Sequence, residues 1–72
     1  MPVPEMQTVS SSNVAALGYD PESQSVYVQF HSGGTYIYKN VPPQEFENLR
    51  TASSIGAYLN RNYKNVYPYE RA

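Results

Sequence analysis

Three residue types that hydrolases combine occur in this chain: the single histidine His31, Asp20 and the serine run Ser10 to Ser12. A serine nucleophile, a histidine base and an aspartate that orients the base would together cleave an ester or amide bond. Such a nucleophile sits on a sharp strand-to-helix turn, whereas these serines precede the first predicted strand. His31 falls in a predicted hairpin turn, where polar residues are ordinary. We therefore predict no catalytic residues and no enzymatic activity.

The composition narrows the remaining chemistry. The chain has no Cys and one His, which excludes a disulfide and a thiolate zinc site, so we expect no metal and no cofactor. The formal net charge is −1 and charged residues make up 15% of the chain, which argues against strong electrostatic binding of nucleic acid. A net charge near zero also favours self-association.

Binding of single-stranded RNA is one function that the C-terminal third indicates. Basic side chains stand beside tyrosines there, and proteins that bind single strands combine such groups, with stacking worth ~1–3 kcal/mol per base. The RNA-binding candidates are Arg50, Arg61, Lys64, Tyr67, Tyr69 and Arg71. Alternatively, these basic residues have no binding role and only form the solvent-exposed face of a helix. A helix-turn-helix that reads DNA with Asn60, Arg61 and Lys64 is a further alternative, which the overall charge disfavours.

Tyrosine, eight of the 72 residues, is also enriched at protein interfaces. The interface candidates are Tyr27, Ile37, Tyr67 and Tyr69. A short first strand and an extended tail could leave or fill a sheet edge and so invite strand addition or swapping, unless the tail covers its own sheet. We predict a non-enzymatic binding module whose partner is another protein or a second copy of the chain, ahead of RNA.

The apolar pattern predicts the elements that position these residues. Residues 1–7 are expected to be a flexible lead-in and residues 8–72 a single domain. Strands are predicted over 14–19, 25–30 and 35–41, and helices from Pro43 to about Ala52 and from Ser53 or Ser54 to about Asn65, before an extended tail from Tyr67. The predicted fold class is α+β: a three-stranded antiparallel β-meander followed by two short C-terminal α-helices packed on one face of the sheet.

The hairpin register decides where the alternating pair Tyr36 and Tyr38 points. A three-residue loop from Ser32 to Gly34 would pair Phe30 with Tyr36 and Val28 with Tyr38. Both tyrosines would then share the helix-covered face with Val28 and Phe30. A loop one residue longer or shorter would turn them to solvent and put a lysine and a threonine under the helices. We therefore predict that both rings are structural.

The cellular location is predicted from the lack of membrane-spanning and export signals in the sequence. No run of ~18 apolar residues could cross a membrane. The first residues have neither the basic region nor the apolar region of a signal peptide, and the chain has no cysteine to form disulfides. We expect a cytoplasmic protein that does not contact membranes.

Several segments in order resemble the KTSC domain, a module found at the C-terminus of some lysyl-tRNA synthetases and alone in small bacterial and phage proteins. They are Val9 to Asn13, Ala16 to Asp20, Val26 to Phe30, Tyr36-Ile-Tyr38, Val41-Pro42, Ala52 to Gly56 and Tyr58 to Asn60. The central Tyr-x-Tyr is the hallmark of that family, and Tyr36 and Tyr38 carry it here. The resemblance spans about Val9 to Tyr63 and implies the fold; RNA binding has been proposed for the family from its synthetase context.

Overall fold

The computed structural model describes residues 5–72. The elements in chain order are β1 (Gln7–Thr8), β2 (Val14–Asp20), β3 (Ser25–Phe30), β4 (Thr35–Tyr38), α1 (Pro43–Arg50), α2 (Ile55–Asn62) and β5 (Tyr69–Arg71). An α+β fold with an antiparallel sheet and two helices is thus confirmed. The prediction of three strands is wrong, because the sheet has five, in the order β1-β2-β3-β4-β5.

The two additional strands are short and lie at the sheet edges. In β1, which falls at the end of the predicted lead-in, Gln7 pairs with Leu17 of β2, and positions 1–4 of that lead-in lie outside the described residues. In β5, Tyr69 pairs with Tyr38 and Arg71 with Tyr36 of β4. The tail is extended as predicted, and it folds back onto its own sheet. Neither strand has an alternating apolar pattern of useful length, so both depend on their tertiary partner.

The β3–β4 hairpin has the predicted faces but not the predicted pairs. Val28 pairs with Tyr36 and Val26 with Tyr38, two residues away from the predicted register. The reason is the position of the turn: Phe30 donates its N–H to the carbonyl of Gly34 at 2.9 Å, which leaves residues 31–33 as the loop. Gly33 takes φ +102°, a conformation that glycine adopts without strain. A shift of two residues keeps each side chain on its face.

Both helices end earlier than predicted. Helix α1 begins directly after Pro42 and stops at Arg50 rather than at Ala52. Helix α2 begins after Ser54, whose side chain accepts a hydrogen bond from the N–H of Ala57 at 3.4 Å. It stops at Asn62 rather than at Asn65, and residues 63–66 form turns. Within the described residues no helix has the length and apolar character needed to cross a membrane.

The core lies between the helices and one face of the sheet. Tyr63, directly after α2, is its largest fully buried side chain. The Tyr63 hydroxyl donates to the carbonyl of Glu45 at 3.0 Å, and the Tyr58 hydroxyl donates to Oε1 of the same residue at 2.6 Å. Tyrosine hydroxyls from α2 and from the residue that follows it therefore connect α2 to Glu45 of α1. The buried apolar cluster comprises Val14, Leu17, Val26, Val28, Tyr38, Val41, Leu49, Ile55, Leu59 and Tyr63.

Candidate functional site

A groove of about 510 Å³ lies between α2 and the end of the sheet formed by the β3–β4 turn, β4 and β5. Its volume falls in the range of roughly 300–1,000 Å³ that is usual for ligand sites. Leu59, Asn60 and Lys64 contribute the wall on the side of α2, while Tyr36 and Tyr69 belong to the sheet.

Tyrosine rings form the floor of the groove. The pairing of β5 with β4 sets Tyr69 beside Tyr36 and Tyr38 on one face of the sheet. The rings of Tyr36 and Tyr69 are stacked, with centroids 5.3 Å apart and planes 17° apart, and Phe30 meets Tyr36 edge-on at 5.4 Å. Tyr69 remains 51% exposed. This floor can therefore offer aromatic surface to a flat ligand.

Tyr38 connects this floor to the core. It is 5% exposed and meets the buried ring of Tyr63 edge-on, with centroids 5.4 Å apart. Burial, together with the neighbouring hydroxyls of Tyr69 and Tyr36, raises the pKa of Tyr38. The hydroxyl is thus held in its neutral form at ordinary pH, and the ring fixes the position of its neighbours on the floor.

Two cations line the groove without a counter-charge. Lys64 follows α2 and Arg71 comes from β5, where its Nη2 lies close to Gly34. Among residues 5–72 the ion pairs are Lys39 with Glu70 at 3.0 Å and Arg50 with Glu47 at 2.6 Å, so neither groove cation has a carboxylate partner. No Asp or Glu lines the groove. The groove is therefore positively charged in a chain whose net charge is −1.

Uncharged hydrogen-bonding groups complete the lining. Asn13 comes from the segment before β2, Asn60 from α2, and His31 and Ser32 from the β3–β4 turn. The ring of His31 places Nε2 3.0 Å from the carbonyl oxygen of Ser11. These amide, hydroxyl and imidazole groups can donate to or accept from a polar ligand.

The structure brings together some of the RNA-binding candidates predicted from the sequence and separates others. Lys64, Tyr69 and Arg71 line the groove. Arg50 lies outside it and is paired with Glu47. Arg61 is exposed but does not line the groove. Tyr67 is half-buried against the core, with its ring centroid 5.1 Å from that of Tyr63.

The predicted protein-interface residues divide between two surfaces. Tyr27 and Ile37 are cross-strand partners on the sheet face away from the core, where both are half-buried. Lys39 and Glu70 form their ion pair on this same face. Tyr69 lies instead on the groove floor, and Tyr67 packs against the core. The four candidates therefore do not form one patch.

The hydrolase residues do not assemble. The carboxylate of Asp20 accepts from the N–H of Glu22 and the hydroxyl of Ser23 in the turn between β2 and β3. His31 lies beyond the other end of β3, about 20 Å away for six residues of extended strand. No group of three or more His, Cys, Asp or Glu that could hold a metal occurs in residues 5–72.

Asn13, His31 and Asn60 line one groove, a grouping that the sequence does not predict. They come from three separated segments, and only the folded chain brings them together. One signal was present: Tyr67, Tyr69 and Arg71 alternate, as residues on one face of a strand do. That alternation indicates an extended segment, and its pairing with β4 appears only in the folded chain.

Fold and groove together define a small α+β domain with an aromatic, basic groove on the helix side of its sheet. The sequence profile of the KTSC domain matches residues 10–67. The chain belongs to the KTSC domain family, and the resemblance seen in its sequence motifs is confirmed.

Individual relatives agree with this assignment. The crystal structure of a KTSC domain protein from Yersinia pestis superposes with a TM-score of 0.92 at 31% identity, covering 97% of this chain and 99% of that one. A protein of Tsukamurella paurometabola is 46% identical over 55 residues, which are 76% of this chain and 82% of the relative. A lysine–tRNA ligase of Nostoc punctiforme is 32% identical over 60 residues, which are 83% of this chain but only 11% of the ligase.

Proposed function

We propose that this KTSC domain is a non-enzymatic binding module that holds a segment of single-stranded RNA in the groove between α2 and β5. The observation that carries the proposal is the coincidence of two cations without carboxylate partners, Lys64 and Arg71, with the stacked floor of Tyr36 and Tyr69. Single-strand binders use this combination, since cations attract the phosphates while aromatic rings stack with bases of any sequence.

Sequence similarity to part of a lysine–tRNA ligase also supports RNA binding. The lysine–tRNA ligase of Nostoc punctiforme contains a stretch related to 83% of this chain. A ligase of that kind acts on tRNA, so a module carried within it is exposed to RNA.

The charge of the groove sets the strength of binding. Two cations that each neutralise one phosphate of a single strand give a salt dependence with a slope of about −1.4 in log K against log salt, from −0.7 per contact. The affinity would therefore be modest and would fall as salt is raised. Arg61, exposed near the groove, would add to the attraction at long range.

A matched pair of double variants tests the proposal. Lys64→Gln with Arg71→Gln removes the groove cations, and Lys39→Gln with Arg50→Gln removes the two paired cations, so both variants have the same net charge. Fluorescence anisotropy with an unstructured, internally labelled RNA at low salt should show a loss of roughly tenfold or more in affinity for the groove variant only. Equal losses in both variants, or no binding by the wild type, would refute the proposal.

Association with a protein partner or a second copy is a second candidate, favoured by the edge strand β5. All three of its residues are exposed, and only one side of the strand pairs with β4. A free strand edge is a template for another strand, and the uncovered face with Tyr27 and Ile37 would adjoin it. Size-exclusion chromatography with light scattering tests the homodimer. A monomer mass at millimolar concentration would count against it.

A further inference from the structure

On the side of β2 the groove is bordered by a segment of the chain that contacts both the hairpin and α2. Ser12 and Asn13, which precede β2, lie between the β3–β4 turn and the first turn of α2 and line the groove together with His31, Ser32 and Gly56. The other lining residues, such as Lys64 and Arg71, come from the sides and the floor. Whether a strand of RNA can pass along the groove depends on this segment, which we name the end wall (Ser11, Ser12 and Asn13).

The end wall is attached to the hairpin by two contacts from one residue. The backbone N–H of His31 donates to the carbonyl of Asn13 at 3.0 Å, and its ring Nε2 lies 3.0 Å from the carbonyl oxygen of Ser11. The hydroxyl of Ser11 also accepts from the N–H groups of Asn13 and Val14 at 3.3 Å. These contacts hold the backbone of the wall against the turn.

On its other side the wall touches the helix. A Cβ placed on Gly56 would lie 3.3 Å from Nδ2 of Asn13, so the asparagine side chain packs directly on the glycine backbone of α2. A second hollow of about 220 Å³ lies behind, and Ser12, Asn13 and Gly56 line both. The wall therefore separates two spaces and spans the gap from hairpin to helix.

We propose that the groove takes the terminus of an RNA strand and excludes a strand that continues in both directions. The inference rests on the proposed function and adds the form of the ligand. A strand interior would have to continue through the wall, whereas a strand end can stop at it. Ser12, Asn13, His31 and Ser32 all carry polar side chains and line this part of the groove, where a terminal hydroxyl or phosphate would lie.

A circular RNA provides the test. An unstructured circle of about 20 nucleotides is longer than the ~4–16 nucleotides that small single-strand-binding domains cover, and a single cut converts it to a linear strand of the same composition. Each competes at low salt against an internally labelled linear probe. Linear RNA should compete at least about tenfold better. Equal competition by the circle would overturn the inference while leaving RNA binding intact. Failure of both would refute the proposed function and the inference with it.

A wall variant adds an independent measurement. Asn13→Gly removes the side chain that meets Gly56 and keeps the carbonyl that His31 uses, and Asn65→Gly, an exposed position outside the groove, is the matched control. The preference for the cut strand should fall below about threefold in Asn13→Gly and stay unchanged in Asn65→Gly. An unchanged preference in a folded Asn13→Gly variant would contradict the role of the wall. Strands with a phosphate or a hydroxyl at the 5′ or 3′ end then identify which terminus is held.

Discussion

The rings of Tyr36 and Tyr69 are stacked across β4 and β5, with centroids 5.3 Å apart and planes at 17°. Tyr36 belongs to the family's Tyr-x-Tyr and Tyr69 to the chain's tail, 33 residues later. Strand β5 brings them together by pairing Arg71 with Tyr36 and Tyr69 with Tyr38. The Tyr-x-Tyr pair therefore has two surroundings: Tyr38 is in the core, and Tyr36 lies on the floor of the groove.

Replacing Tyr69 by Ala should weaken RNA binding by about tenfold, because stacking of one base on an aromatic ring is worth ~1–3 kcal/mol. Stability should fall little, by about 0.5–1.5 kcal/mol, since the ring is 51% exposed and loses mainly its partners on β4. Anisotropy and urea unfolding measure the two effects. Tyr27→Ala, on the opposite sheet face, is the control. If Tyr27→Ala loses as much affinity for RNA as Tyr69→Ala, the result would contradict binding of RNA in the groove.

The hydroxyl of Tyr63 should matter for stability more than its small size indicates. Tyr63→Phe removes the hydrogen bond that the buried Tyr63 hydroxyl donates to the carbonyl of Glu45 at 3.0 Å, in addition to the helical bond that this carbonyl accepts within α1. The expected loss is about 1–2 kcal/mol in the free energy of unfolding, measured by urea denaturation. The control is Tyr69→Phe, whose hydroxyl has no such partner among the described residues. A Tyr63→Phe protein as stable as the wild type would show that this hydrogen bond does not contribute to stability.

Stability should fall in alkaline solution. Burial, with Glu45 nearby, raises the pKa of Tyr63, and burial also raises the pKa of Tyr38. In the unfolded chain both hydroxyls ionise near pH 10. Below that pH both are protonated in the folded and the unfolded chain, so neither makes the free energy of unfolding depend on pH. Above it the unfolded chain releases protons that the folded chain retains, and stability drops by up to about 1.4 kcal/mol per pH unit for each such tyrosine. Urea midpoints measured from neutral pH to about pH 11 test this, and a flat profile would contradict it.

The start of α2 should depend on one of two adjacent serines. The Ser54 side chain accepts from the N–H of Ala57 at 3.4 Å, whereas Ser53 has no side-chain hydrogen bond within the described part of the chain. Ser54→Ala should lower the free energy of unfolding by about 0.5–2 kcal/mol, and Ser53→Ala should change it by less than about 0.5 kcal/mol. Thermal unfolding of both variants compares them directly. A larger loss in Ser53→Ala would place the cap one residue earlier.

Patterns of a few residues predicted the central part of the fold. The alternation of Val26, Val28 and Phe30 identified β3, and the pair Pro42-Pro43 marked the start of α1. The faces of the β3–β4 hairpin were correct although its pairs were not, since the register error was an even number of residues. Local periodicity is sufficient for such elements because each contains its own signal.

The remaining parts depend on distant partners. Gln7 and Thr8 are polar and become a strand only by pairing with Leu17 and Ala16. Tyr69 to Arg71 form β5 only along β4. Lys64, Tyr69 and Arg71 could be named from the sequence as basic and aromatic candidates. They could not be placed together, because the groove that they line forms only when β5 pairs with β4. Arg50 was named on the same grounds and lies elsewhere, paired with Glu47.

Chemical-shift mapping of the ¹⁵N-labelled domain with a short single-stranded RNA tests the central claim most directly. The account predicts that amide signals of Asn60, Lys64, Tyr69 and Arg71 move together with added RNA, while those of Tyr27 on the opposite face stay fixed. Shifts concentrated on the face of Tyr27, or no shifts at low salt, would contradict an RNA-binding groove between α2 and β5.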